Sequence, residues 1–296
     1  MFRWQAHKGL IRSLAFDPKG HLLATATGKS NFLHLWDVQT GALVRKLDVG
    51  SPVQVVAFAP ASPLVAAGSL AAVRIWGTLW WEPFANLDAS YVYEIAFAQG
   101  DWPSLAAASA GNVSVWSGIS LPSPQGRHVP YLRLSHGSHI VCLDFTPDGR
   151  LVTNSLDKHV AIWELITGTP LRTWDRPSTP NHGPIRVSPD GTRVAYAHGK
   201  VVTVREIDPP FQESGPTTFV GHTDPVWALS WSADGRGLMT TSSDGTARLW
   251  DATSGSLVRS LDWGIGKIYA AAFSPDGLTC VAGGQSGEIV VWDVDG

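Results

Sequence analysis

Residues 221–262 decide the fold. They open with Gly221-His222-Thr223-Asp224-Pro225, continue as the apolar run Val226-Trp227-Ala228-Leu229-Ser230-Trp231, and turn at Ser232-Ala233-Asp234-Gly235. Leu238-Met239-Thr240-Thr241-Ser242 then reads as a second strand of small residues, and Ser243-Asp244-Gly245 as a tight hairpin before Thr246-Ala247-Arg248-Leu249-Trp250. Ala252-Thr253-Ser254-Gly255 turns again into Ser256-Leu257-Val258-Arg259-Ser260-Leu261. The turn glycines supply the positive φ that such short connections need. Helical periodicity is absent, so the stretch predicts four short strands in one antiparallel sheet.

Working outward, the same pattern recurs. An aromatic residue closing an apolar run before a turn appears at Phe16, Phe145 and Phe273, with weaker copies at Phe58, Phe97, Val187 and Trp231. The steps between these positions are 42, 39, 48, 42, 44 and 42 residues. A second landmark follows each by 18 to 20 residues: Trp36, Trp76, Trp116, Trp163, Arg205, Trp250 and Trp292. Two landmarks holding one period define seven repeats. Repeated small sheets that stack radially leave only short edges, which predicts an all-β, seven-bladed β-propeller of four-stranded antiparallel blades.

Gly221-His222, Asp244-Gly245 and Trp250-Asp251 resemble the signature of the WD-repeat family, and Trp36-Asp37 and Trp292-Asp293 repeat its final dipeptide. Other copies depart from it: Trp76-Gly77, Trp116-Ser117 and Trp163-Glu164 lose the Asp, and Arg205 replaces the Trp. The resemblance extends over residues 1–296, which reads as a single propeller domain. The last repeat ends at Val290-Val291-Trp292-Asp293, its third strand. Met1-Phe2-Arg3-Trp4-Gln5 is expected to close that blade as its fourth.

In the family, a His, a second-strand Ser or Thr, the hairpin Asp and the Trp form a buried hydrogen-bond chain. The resemblance therefore implies two structural tetrads, His136, Thr153, Asp157 and Trp163, and His222, Thr240, Asp244 and Trp250. Each buried polar group in such a chain satisfies the next. The first repeat keeps His7, Thr25 and Trp36 but has Ser30 near the Asp position, and the second, third, fifth and seventh repeats lack the set.

Composition narrows the function classes. Lys plus Arg number 22 against 25 Asp plus Glu, a net charge of −3, so no global basic field draws the chain to nucleic acid or an anionic membrane. No apolar run approaches the ~20 residues of a membrane helix, and the first residues do not read as a signal peptide. Two cysteines, Cys142 and Cys280, are too few for a disulfide framework and read as packed core thiols. The ten histidines form no metal-ligand pattern, Gly28-Lys29-Ser30 lacks the rest of a phosphate loop, and Asn112-Val113-Ser114 reads as an incidental sequon. No catalytic residue, metal or cofactor is expected.

The position just after the first apolar residue of each first strand resembles the family's top-face contact position. Counting back four residues from each first landmark gives Arg12, Gln54, Tyr93, Val141, Gly183, Trp227 and Tyr269. Three aromatics and an Arg match the composition of binding hot spots. These side chains either grip a partner at the channel mouth or plug it against water. Three irregular segments could add a second surface: Thr78–Phe84 with Trp80 and Trp81, residues 117–129, and residues 208–216. Trp80 and Trp81 could equally fill gaps beside weakly patterned blades.

The family resemblance implies a non-catalytic, cytoplasmic scaffold that docks proteins or peptides, a monomeric propeller working as a subunit of a multiprotein assembly. The alternative is a propeller enzyme or small-ligand binder using the central channel. A nucleic-acid reader would need a clustered basic stripe. Of the 14 tryptophans, six mark third strands, and Trp227 is the one placed for binding.

Overall fold

The computed structural model describes residues 1–100, 104–119, 130–177, 182–208 and 215–294. Among them the secondary structure is all strand, arranged as seven four-stranded antiparallel sheets. This is the fold class of a seven-bladed β-propeller. Blade one spans residues 13–48, and blades two to six span 53–87, 94–135, 140–175, 182–219 and 226–262. Within each, consecutive strands pair in chain order.

The chain divides into two compact units, residues 12–175 with blades one to four and residues 1–11 with 176–296 carrying blades five to seven. In the second of these, blade seven takes its outer strand from the amino terminus. Phe2–Gln5 pairs antiparallel with Glu288–Asp293, Phe2 opposite Val291 and Gln5 opposite Glu288. The Gln5 amide donates to the carbonyls of Ser286 at 2.8 Å and His7 at 2.6 Å, which pins the strand end.

The turns follow the sequence chemistry. In Ser232-Ala233-Asp234-Gly235 the Ser232 hydroxyl donates to Asp234 at 2.6 Å and Asp234 accepts the Arg236 N–H at 3.0 Å, while Gly235 takes a φ of +68°. Ser188 and Asp190 repeat the arrangement in blade five. Between third and fourth strands, Gly41, Gly168 and Gly255 adopt φ near +70°. Blade two has Trp81 there at +59°, a strained backbone for a bulky residue. The indole packs against the core shared by blades one and two, with the Arg45 guanidinium 5.8 Å from its ring. Trp81 therefore fills a gap, whereas Trp80 stands 66% exposed.

The pairing register explains which blades can hold a tetrad. The residue opposite the third-strand landmark is Leu23, Val65, Leu105, Leu151, Val194, Leu238 or Cys280. Two residues further along the same strand, on the same face, stand Thr25, Ala67, Ala107, Thr153, Tyr196, Thr240 and Ala282. Only three blades offer the indole a hydroxyl at this place.

Candidate functional site

In blade six the signature residues form one directional chain. Trp250 Nε1 donates to Thr240 Oγ1 at 2.8 Å, Thr240 meets His222 Nε2 at 2.7 Å, and His222 Nδ1 meets Asp244 Oδ2 at 2.7 Å. Burial holds the His222 pKa below its usual value, so the imidazole is neutral. Burial resists ionisation of Asp244, but the Thr246 hydroxyl, His222 and the Thr246 N–H outweigh it and hold the carboxyl at about 2. Blade four repeats the chain: Trp163 to Thr153 at 2.8 Å, Thr153 to His136 at 2.7 Å, His136 to Asp157 at 3.2 Å. Blade four extends it outward, because Asp157 also meets His159 Nδ1 at 3.3 Å and His159 Nε2 lies 3.0 Å from Asp175. In blade one Trp36 donates to Thr25 at 2.9 Å.

A Thr–His–Asp set invites comparison with a catalytic triad. Thr240 and Thr153 are fully buried, however, and each hydroxyl already accepts an indole N–H. No substrate reaches them. Among the described residues, no group of three or more His, Cys, Asp or Glu side chains is placed to hold a metal ion. Cys142 and Cys280 are buried free thiols, and burial pushes the Cys280 thiol well above its ordinary range. Lys29 and Ser30 N–H groups donate to Thr27 Oγ1, which makes Gly28-Lys29-Ser30 a side-chain-capped turn. Asn112 and Ser114 lie on one strand, Ser114 buried.

Five of the seven collected positions share a feature absent from the sequence pattern. In blade six, Val226 pairs with Ser242 and Ala228 with Thr241, so Trp227 opposes no residue. The same slip leaves out Gln54, Val141 and Tyr269, and a longer one leaves out Gly183 and Pro184. A bulge of this kind twists the strand and re-aims the extra side chain. In blades one and three Arg12 and Tyr93 instead precede the paired strand, their N–H groups donating to Ala26 O at 2.8 Å and Ala108 O at 3.0 Å.

What these positions present differs. In the unit of blades five to seven, Trp227 is 39% exposed and half-buried Tyr269 meets its ring edge-on, centroids 5.8 Å apart and planes at 62°. The indole N–H donates to Ser243 Oγ at 2.6 Å, which fixes the ring. Gly183 is buried, and a Cβ there would come within 2.7 Å of the Ala197 carbonyl oxygen, so it offers no side chain. In the unit of blades one to four, Arg12 and Tyr93 are exposed and Val141 is half-buried. Gln54 is buried, its amide donating to Gly28 O at 3.1 Å and Pro52 O at 3.3 Å. Residues 120–129 and 209–214 of the irregular segments, together with Trp102, lie outside the described residues.

Sequence reasoning missed Ser243 as the indole's partner, His159 as the extension of the blade-four chain, and Arg193. The Arg193 guanidinium lies 5.0 Å from the Trp231 ring and donates to Gly235 O at 2.6 Å, clasping blade five to blade six. The Arg193 contacts join two blades, and nothing within one repeat signals them.

Seven four-stranded blades, two of them holding a full Trp–Thr–His–Asp chain, define a WD-repeat propeller, and comparison with known proteins agrees. The family model described as WD domain, G-beta repeat, matches residues 129–164, 215–251 and 255–293. A second, the anaphase-promoting complex subunit 4 WD40 domain, matches residues 2–61. The chain belongs to the WD-repeat family. It is 31% identical over 146 residues to an uncharacterized WD repeat-containing protein of Synechocystis, covering 49% of this chain and 41% of that protein. It is 24% identical to a guanine nucleotide-binding protein subunit beta of Zea mays, covering 98% of this chain and 70% of the relative. The target of rapamycin complex subunit wat1 of Schizosaccharomyces pombe is 29% identical over 49% of this chain and 45% of its own length. The chain thus matches less than half the length of two of these three relatives.

Proposed function

We propose that the chain is a non-catalytic scaffold that docks a protein or peptide through the surface bearing Trp227 and Tyr269. On this reading it works as a monomeric propeller within a hetero-complex in the cytoplasm. One observation carries the reading: a bulge turns Trp227 out of the pairing register, and Ser243 and Tyr269 then hold it rigid and exposed. A fixed, half-exposed indole costs little side-chain entropy on binding and buries a large apolar area, the properties of an interface anchor. Two relatives support the kind of role, since their names describe subunits, one of a guanine nucleotide-binding protein and one of a target of rapamycin complex.

Quantitative affinity purification from the native source tests the proposal, with the wild type beside Trp227→Ala/Tyr269→Ala. A partner retained by the wild type and depleted at least tenfold by the variant is expected. Equal recovery by both would remove this surface from the function.

A further inference from the structure

We propose that the turn between the third and fourth strands of blade two is a second docking site, for a proline-rich, uncharged segment of a partner protein. Blades one, four and six open this turn with Asp37, Glu164 or Asp251, whose carboxylates accept N–H groups of the turn from Thr40, Ile166 and Ser254. Gly77 stands there in blade two. At the tip, Gln39-Thr40, Ile166-Thr167 and Thr253-Ser254 give way to Leu79-Trp80, and Trp81 takes the place of Gly41, Gly168 and Gly255 at positive φ. The turn keeps its shape all the same. The Trp81 N–H donates to Gly77 O at 2.8 Å, as the three glycines donate to Asp37, Glu164 and Asp251 at 2.9 Å. With Trp81 packed on the core, Leu79 and Trp80 stand outward, 63% and 66% exposed. A strained backbone that presents an apolar tip points to binding, since packing needs only Trp81.

The apolar surface continues beyond the tip. The Thr78 N–H donates to Pro63 O at 2.7 Å, which joins the tip to the turn of exposed Pro60, Ala61 and Pro63. Residues 59–63 and 77–81 include no charged side chain. Within the blade this is the end away from Gln54, which holds the repeat position of Trp227.

The chemistry of this end selects its occupant. Among the described residues nothing accepts the Trp80 indole N–H, so the site offers a ring, an aliphatic side chain and one donor. A charged segment would be desolvated there with nothing to pair it, and an anionic membrane would find no cation in the two turns. A helix uses its backbone carbonyls internally and leaves the donor unmet. An added strand would meet Pro83 at the start of the outer strand Pro83–Leu87, where no N–H is available. A polyproline segment supplies free carbonyls and apolar rings, and it is ordered before it binds.

Panning a phage-displayed random decapeptide library against the full chain tests this. Wild type is used beside Leu79→Ser/Trp80→Ser, Trp80→Phe and Trp227→Ala, each verified folded by its thermal melt. Enrichment of uncharged peptides with prolines beside Leu, Ile or Val is expected. Their affinity should fall about tenfold in the double variant and about threefold in Trp80→Phe, which keeps a ring but lacks the donor. It should be unchanged by Trp227→Ala and by added salt. Peptides that depend on Trp80 but lack proline or carry charge would overturn the partner class. Peptides indifferent to both turn variants would overturn the site. So would a wild type that enriches nothing, whether or not it binds phosphatidylcholine vesicles through Trp80.

Discussion

His222 Nδ1 lies 2.7 Å from Asp244 Oδ2 in blade six, and this contact sets the direction of every hydrogen bond behind it. The carboxylate can only accept, so the imidazole proton sits on Nδ1. Nε2 must then accept from the Thr240 hydroxyl, whose oxygen accepts the Trp250 indole N–H. Each buried donor has one acceptor, and the chain ends in a charge held at the surface side.

Thr240 and Thr241 are neighbours with opposite expected effects. Thr240→Val leaves both the Trp250 N–H and His222 Nε2 without partners and should cost about 2–4 kcal/mol. The Thr241 hydroxyl is buried with no hydrogen-bond partner. Thr241→Val replaces it with a methyl group of the same shape and should stabilise the protein by about 1 kcal/mol. Denaturant titration of the two variants checks the sign of each.

Acid should dissolve the tetrad in two steps of the same sign. The His222 pKa is lowered on folding, so its contribution is present above its ordinary value of 6.5 and declines as pH falls through the lower folded value. Asp244, held at about 2 against an ordinary 3.8, contributes stability above pH 4 that is lost as pH falls toward 2. Melting curves between pH 7 and pH 2 should show wild type losing stability more steeply than Asp244→Ala below pH 4. Parallel curves would dismiss the carboxylate's contribution.

Blade seven carries an unsatisfied tryptophan. Trp292 Nε1 is buried without a hydrogen-bond partner, and Ala282 stands where Thr240 stands in blade six. Ala282→Thr should raise stability by about 1 kcal/mol by supplying the hydroxyl. Ala282→Val adds the same bulk without it and should give no gain, so the difference between the two melts isolates the hydrogen bond.

Removing residues 2–5 strips the outer strand from blade seven. Four residue pairs with Glu288–Val291 and the packing of half-buried Trp4 are lost together, on the order of 3 kcal/mol or more. Calorimetry of the truncated chain should show a clearly lower Tm, and an unchanged one would mean that the strand adds nothing to the blade.

Much of this architecture was legible in the residues because it is local and repeated. Phe16, Phe145 and Phe273 with their turns, and the tryptophans 18 to 20 residues later, marked the seven blades, and the resemblance to the WD-repeat signature implied both full tetrads. What escaped depends on how neighbouring strands meet. Gln54 and Trp227 occupy the same sequence position and both sit on bulges, yet Gln54 is drawn inward by the Gly28 carbonyl while Trp227 is held outward by Ser243. A glycine place taken by Trp81 was invisible for the same reason: the Arg45 that covers its ring belongs to the preceding blade.

Trp227 and Tyr269 together are the docking surface proposed above. Hydrogen–deuterium exchange of the chain alone and in complex with its affinity-purified partner tests it most directly. Slowed exchange confined to residues 224–228, 243–245 and 266–270 is expected. Slowed exchange elsewhere, with these segments unchanged, would contradict it.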